Sequence, residues 1–166
     1  MTRVIKPPEP LPPKGPLPSV FLAGSIEMGS AEDWQTQFAG ALADLDVWIL
    51  NPRRDEWDAT WEQSISNPLF REQVEWELAG LERADVIAMY FAPATKAPVT
   101  LLELGLCARD GRLVVCCPAG YWRRGNVQVV CQRYGVPLLG NLPDLVPEVR
   151  RRLTVDQSAR VDRPRK

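Results

Sequence analysis

Histidine is missing from the sequence altogether. That removes the imidazole on which Ser-His-Asp and Cys-His mechanisms depend, together with the commonest zinc ligand, and leaves carboxylates as the leading candidates for reactive groups. Cysteine is sparse. Cys107, Cys116, Cys117 and Cys131 show no CxxC spacing, and three of them fall in apolar helix or strand patterns, which predicts reduced, buried thiols. Neither sign of charge dominates: 20 basic against 21 acidic residues give a net charge of −1, so no global field points to polymeric nucleic acid or a membrane as partner. No apolar run approaches the roughly 20 residues that span a bilayer, and prolines stand near the N-terminus where a signal peptide would carry its hydrophobic region. The expectation is one cytoplasmic domain, and 166 residues are enough to bury about two thirds of the unfolded surface in a single core.

Proline, by contrast, is concentrated. Residues 1–18 hold seven of them, with Lys and Glu between, which predicts an extended or disordered lead-in, solvated or strapped onto its own domain, and unable to form a helix or the interior of a sheet. From Ser19 short apolar runs alternate with amphipathic stretches of helical length, the pattern of βα units and a parallel sheet. Strands are expected at Ser19–Leu22, Val47–Leu50, Val86–Phe91, Leu113–Cys117 and Pro137–Leu139. Helices are expected from Ala31 to about Leu45 behind a Ser30 cap, from Asn67-Pro68 to about Ala84, around Glu103 to Asp110-Gly111, from an Asn126 cap to Tyr134 and Gly135, and between Leu145 and Leu153. A polar, basic tail covers residues 154–166, so the folded domain is placed at 19–153. Right-handed crossovers give a three-layer α/β domain with five strands in the order 2-1-3-4-5. The first and third strands are then neighbours, and their C-terminal loops meet at the switch point where open α/β sheets bind ligands.

One carboxylate falls there. Val99-Thr100-Leu101-Leu102-Glu103-Leu104-Gly105 sets Glu103 among apolar neighbours just after the third strand. Thr100 and Glu103 have the spacing of a capping box, which would tie the side chain to the backbone; a helix start over a ligand crevice equally suits a carboxylate kept for chemistry. Three further segments reach the same crevice. Ala23 to Ser30 has phosphate-loop glycine spacing without the lysine, so Gly24 and Ser25 are read either as a backbone surface close to a sugar or base or as a plain turn. Asn51 to Trp61 carries Trp57 and Trp61, which stack on a flat heterocycle or pin the loop, with Asp58 as a hydrogen-bond acceptor and Arg53 and Arg54 solvated or paired with Asp55 and Glu56. Pro118 to Asn126 ends at the expected cap. Glu77, between Trp76 and Leu78, reads on its own as a surface carboxylate.

Taken in order, Phe21-Leu22-Ala23-Gly24-Ser25, Glu77-Leu78-Ala79-Gly80-Leu81 with Ala84-Asp85, Leu102-Glu103-Leu104-Gly105 and Pro118 to Asn126 resemble the nucleoside 2-deoxyribosyltransferase family and its N-glycohydrolase relatives, over about residues 19–139. The branch with an Asn-Pro-Arg-Arg loop is the most similar. The resemblance implies a flavodoxin-like, Rossmann-like three-layer fold. It implies Glu103 as the nucleophile at the anomeric carbon, through a glycosyl ester with retention, and Glu77 as the group exchanging a proton or hydrogen bond with the base. It also implies Gly24 and Ser25 lining the base and sugar, and Asn126, within one position, reaching a neighbouring subunit's site in a homo-oligomer. No metal or organic cofactor is implied, and the partner is a small nucleoside or nucleotide.

This chain departs from the family pattern at three places. Val20 or Phe21 stands where family transferases often have an aromatic hydroxyl. Ala97 stands where the transferases have the Asp for the 5′-hydroxyl and the nucleotide hydrolases a Ser, and Glu27 where the latter have an Arg, so Thr100 or Arg123 is left to take that role. Two alternatives are a nucleotide- or nucleoside-binding sensor module without turnover and an N-glycohydrolase of a larger nucleotide such as NAD, although no GxGxxG follows the first strand.

Overall fold

The computed structural model describes residues 1–15, 17–26 and 32–161. Six parallel strands form one sheet: β1 (Arg3–Ile5), β2 (Ser19–Gly24), β3 (Trp48–Leu50), β4 (Val86–Tyr90), β5 (Leu113–Cys116) and β6 (Leu138–Leu139), in the order β1-β3-β2-β4-β5-β6. The five expected strands keep their expected order. The sixth comes from the proline-rich lead-in, which is a strap and not a free arm: the prolines begin at residue 7, so Arg3 to Ile5 retain the donors for a ladder on the outside of β3, with Arg3 N–H on Val47 O at 3.1 Å and Asn51 N–H on Ile5 O at 2.9 Å. Beyond it Trp76 Nε1 donates to Glu9 O at 2.8 Å. The expected domain start at residue 19 therefore moves to the N-terminal residues.

Because both faces of the sheet are covered, the central strands read as unbroken apolar runs. Phe21, Ala23, Ile87, Met89 and Val115 face the helices α2 (Pro68–Arg83), α3 (Pro98–Cys107) and α4 (Arg124–Tyr134); Val20, Leu22, Ile49, Ala88 and Val114 face α1 (Trp34–Gly40) and α5 (Leu142–Val161). The start of α2 follows the expectation, with Asn67 Oδ1 accepting from the amides of Leu69 and Phe70 and Pro68 at the first helical position. Helix α1 is shorter than expected: Asp33 caps it, and after Gly40 the chain continues in three-residue turns to Leu45. The Ser30 cap lies outside the described residues. Helix α5 is longer than expected and runs into the segment read as a tail, with Glu148 paired to Arg151 and Arg152 along its exposed side. No helix among the described residues is long and apolar enough to cross a membrane.

Helix α2 lies close on β2 because position 80 has no side chain: a Cβ at Gly80 would stand 2.6 Å from the ring of Phe21, which is fully buried. Replacing Gly80 by Ala should therefore destabilise the fold by about 1–3 kcal/mol despite alanine's better helix propensity, read as a lowered denaturation midpoint; an unchanged or raised midpoint would contradict this packing.

Candidate active site

The C-terminal ends of β2 and β4 set the floor. Gly24 has φ +149°, and a Cβ there would meet Tyr90 O at 2.4 Å and Trp34 Cζ2 at 2.9 Å, so the missing side chain lets β2, β4 and α1 close on one another. Ser25 is 1 % exposed, and its polar groups are engaged: its N–H donates to Tyr90 O (3.0 Å), its Oγ accepts from Ala92 N–H (3.0 Å) and lies 2.6 Å from Thr95 Oγ1. Gly24 and Ser25 thus lock the β2 loop to the loop after β4, and the Ser25 hydroxyl is already engaged.

That second loop delivers Glu103. It enters α3 through Ala97, which sits in the left-handed region at φ 44° with no side-chain cap, followed by Pro98 at the first helical position. The carbonyl of Lys96 accepts from Tyr121 Oη at 2.7 Å and Trp122 Nε1 at 3.0 Å, which anchors the bend from the loop after β5. The helix therefore starts before Thr100, and the expected capping box does not form: Thr100 is inside the first turn, and Glu103 one turn further along cannot return to it. Glu103 is 7 % exposed and has no hydrogen-bond donor among the described residues. Burial drives its carboxyl up to about 8, and the charge of Glu77 adds to the effect.

Glu77 is half-buried on α2 and is not the surface carboxylate that its local sequence suggests. Burial raises it to about 7, against the opposing hydrogen bond from Gln73. Gln73, one turn earlier and 4 % exposed, donates from Nε2 both to Glu77 Oε1 (2.8 Å) and to Pro52 O (2.9 Å) in the loop leaving β3. The sequence reading passed over Gln73; its signal was the four-residue spacing to Glu77, which stacks the two side chains on one helix face.

The remaining expected contacts are more dispersed. Trp57 and Trp61 pack on each other with centroids 5.1 Å apart, and the Arg54 guanidinium lies 5.2 Å over Trp61 while pairing with Glu72 at 3.2 Å. Asp55 is taken by Lys6 and Arg53 approaches Asp33 at 4.0 Å, so the arginines, expected to be solvated or paired with Asp55 and Glu56, meet acids outside their own loop. Asp58 is exposed and engages the amide (2.8 Å) and hydroxyl (2.6 Å) of Thr60, which hold its carboxyl below the usual range. Asn126 is not the cap of α4: Arg123 occupies that position, because the helix begins with Arg124. Its exposed side chain lines a hollow of about 310 Å³ with Leu101, Leu104, Gly105, Arg123, Val127 and Val130. From helical periodicity, Glu103 is on the opposite flank of α3 from this hollow, so Asn126 does not reach the Glu103 of its own chain.

Thiol chemistry is disfavoured: burial pushes Cys107, Cys117 and Cys131 to about 11 and Cys116 to about 12, leaving negligible thiolate near neutral pH. Among the described residues no group of three or more His, Cys, Asp or Glu is placed to hold a metal ion. The site therefore offers carboxyl chemistry: one unpaired carboxyl at the sheet edge, faced by a second that can carry a proton.

No curated protein matches the chain in sequence. In structure it is similar to a conserved protein from Enterococcus faecalis V583, with a TM-score of 0.58 over 82% of this chain and 99% of that one at 10% identity, a likeness of fold alone. The family model described as nucleoside 2-deoxyribosyltransferase like matches residues 17–121, a span that holds β2 to β5, Glu77 and Glu103, and the chain belongs to that family.

Proposed function

We propose that the protein cleaves or exchanges the N-glycosidic bond of a nucleoside or nucleotide through a glycosyl ester on Glu103. The observation that carries this reading is a buried carboxyl without a donor of its own, beside a second carboxyl, at the ligand-binding end of the sheet. A Glu103 oxygen forms a bond to the anomeric carbon while the carbon–nitrogen bond breaks, its electron pair leaving with the base. Glu77 supplies the proton that the departing nitrogen takes up. Water or a second base then attacks the same carbon from the vacated side, the ester opens to regenerate the Glu103 carboxylate, and Glu77 recovers a proton from the incoming group. Two inversions retain configuration. In this reading the Trp57–Trp61 pair offers an aromatic surface for the base and the floor at Gly24 and Ser25 a backbone surface for the sugar.

A homo-oligomer completes this reading. Val99, Leu102 and Leu106 on α3 and Val129 on α4 are exposed apolar side chains, a surface suited to a second copy. Asn126 of that copy would then supply the hydrogen bond that Glu103 lacks among the described residues of its own chain.

Glu103→Gln should reduce base release by a factor of roughly 10³ or more, about 4 kcal/mol of barrier; retention of most turnover would end the covalent reading. Calorimetry showing nucleoside binding, with no base released by the wild type over hours, would establish the sensor alternative instead. Supplying a free second base separates transfer, which yields a new nucleoside, from hydrolysis, which yields free sugar.

The pair works from the state that holds one proton, which at rest sits mostly on Glu103, the weaker acid of the two, and passes to Glu77 as the nucleoside binds, leaving Glu103 ionised. With Glu77 raised to about 7 and Glu103 to about 8, that state is richest between those values. Below them both carboxyls are protonated and the nucleophile is lost; above them both are ionised and the acid is lost. The kcat/KM profile should be a bell centred there, and the limbs belong to the pair. A flat profile from pH 5 to 9 would contradict it.

Equal mixing of Glu103→Gln and Asn126→Ala subunits, each inactive alone, should recover about a quarter of wild-type activity if the site is shared in a dimer, because half the dimers are mixed and each has one intact site. No recovery on subunit exchange would place Asn126 outside the site.

A further inference from the structure

Glu77 does not stand alone in its half of the site. Its carboxyl and the backbone of the Asn51–Arg54 loop meet on one amide, that of Gln73, which spends both Nε2 protons on acceptors: Glu77 Oε1 at 2.8 Å and Pro52 O at 2.9 Å. The orientation of the amide is thereby decided. Turning it over would set Oε1 against a carbonyl and a carboxyl oxygen, and in the observed orientation Oε1 finds no donor among the described residues. The acceptor at Pro52 is itself held in place. Arg53 N–H closes a turn onto Asn51 Oδ1 at 3.0 Å, buried Asn51 donates its own N–H to Ile5 O of β1, and proline at 52 leaves its carbonyl on a restricted backbone.

We propose that Gln73 is the positioning residue of the acid, fixing Glu77 with Oε1 as a permanent acceptor and Oε2 as the oxygen that carries and transfers the proton, and tying that orientation to the loop that leaves β3. The proposal rests on the reaction described above for Glu77. With one oxygen committed to an N–H, the proton has a single place, and the lone pair through which the carboxyl meets the leaving nitrogen points one way. When Glu77 has given its proton away, the same N–H becomes a charge-assisted bond to the new carboxylate. Gln73 therefore makes the proton easier to release as well as fixing where it is released.

The charged group facing Glu77 from another element is Glu103 on α3, whose own ionisation the Glu77 charge opposes. Of the two basic residues of the loop, Arg53 lies against Asp33 and Arg54 is paired with Glu72, and among the described residues the Gln73 amide is the donor to Glu77. The amide thus opposes the upward effect of burial on Glu77.

The test is Gln73→Met, close in volume and unable to donate. Followed by carbon NMR of side-chain-labelled glutamate in the unliganded protein, the Glu77 titration should move to higher pH than in the wild type. With a nucleoside substrate the pH profile should move the same way, and kcat should fall by roughly tenfold or more with KM little changed, because the loss is in proton transfer and not in binding. A folded Gln73→Met protein with an unmoved Glu77 titration overturns the proposal, and so does an unchanged kcat in a protein that turns over. If Gln73→Met does not fold, Gln73→Glu, nearly the same shape but an acceptor, takes its place: Glu77 should titrate higher still, and an unmoved midpoint again overturns the proposal. A wild-type protein that releases no base from any nucleoside would defeat the reaction itself, while the NMR titration would still decide whether Gln73 governs Glu77.

Discussion

Two carboxyl groups withdrawn from water and set near one another are the constraint around which the rest of the structure is arranged. Each would ionise freely on the surface; inside, each ionisation is opposed by lost hydration, and that of Glu103 also by Glu77. Such a pair is a poor way to stabilise a fold, since apolar residues of the same volume would serve better at no electrostatic cost. It is well suited to a site in which one group must attack and the other must hand over a proton near neutral pH.

The backbone around the pair shows how it is held. A parallel sheet with both faces covered brings the ends of β2 and β4 side by side, and the two loops that leave them are joined through the Ser25 hydroxyl, the Ala92 amide and Thr95. The left-handed residue at Ala97 then turns the chain into α3 with Glu103 facing inward, and the Lys96 carbonyl is held from the loop after β5. On the other side, α2 can carry Glu77 and Gln73 close to the sheet because Gly80 leaves room for Phe21. These are rigid supports, which matter where reacting groups must be held to a fraction of an ångström.

Much of this was legible in the sequence, and the exceptions have physical causes. The central strands announced themselves because burial on both faces leaves no polar alternation to confuse them, and Asn67-Pro68 and Gly135 marked a helix start and a helix end through their own backbone chemistry. Strand β1 was missed because three residues carry no periodicity and the prolines after them dominate the composition of the segment. The capping-box reading of Thr100 and Glu103 placed the helix start too late: Pro98 was the better signal, and an alanine in a left-handed conformation has no signature. Asn126 was read as a cap for the same kind of reason, since a residue type that favours caps also occurs inside first turns. The four-residue spacing of Gln73 to Glu77 was too weak a signal by itself, because its other partner, Pro52, is distant in sequence and a glutamine is informative only once both its acceptors are known.

Strand β1 has a consequence for how copies of this molecule can meet. Without it, the flank of β3 would present a row of vacant amides and carbonyls, a template on which a stray extended peptide can build. With it, the outermost rung is only three residues long, and the chain turns at once into prolines that offer no N–H to a newcomer. Growth of the sheet by lateral recruitment is blunted on that side.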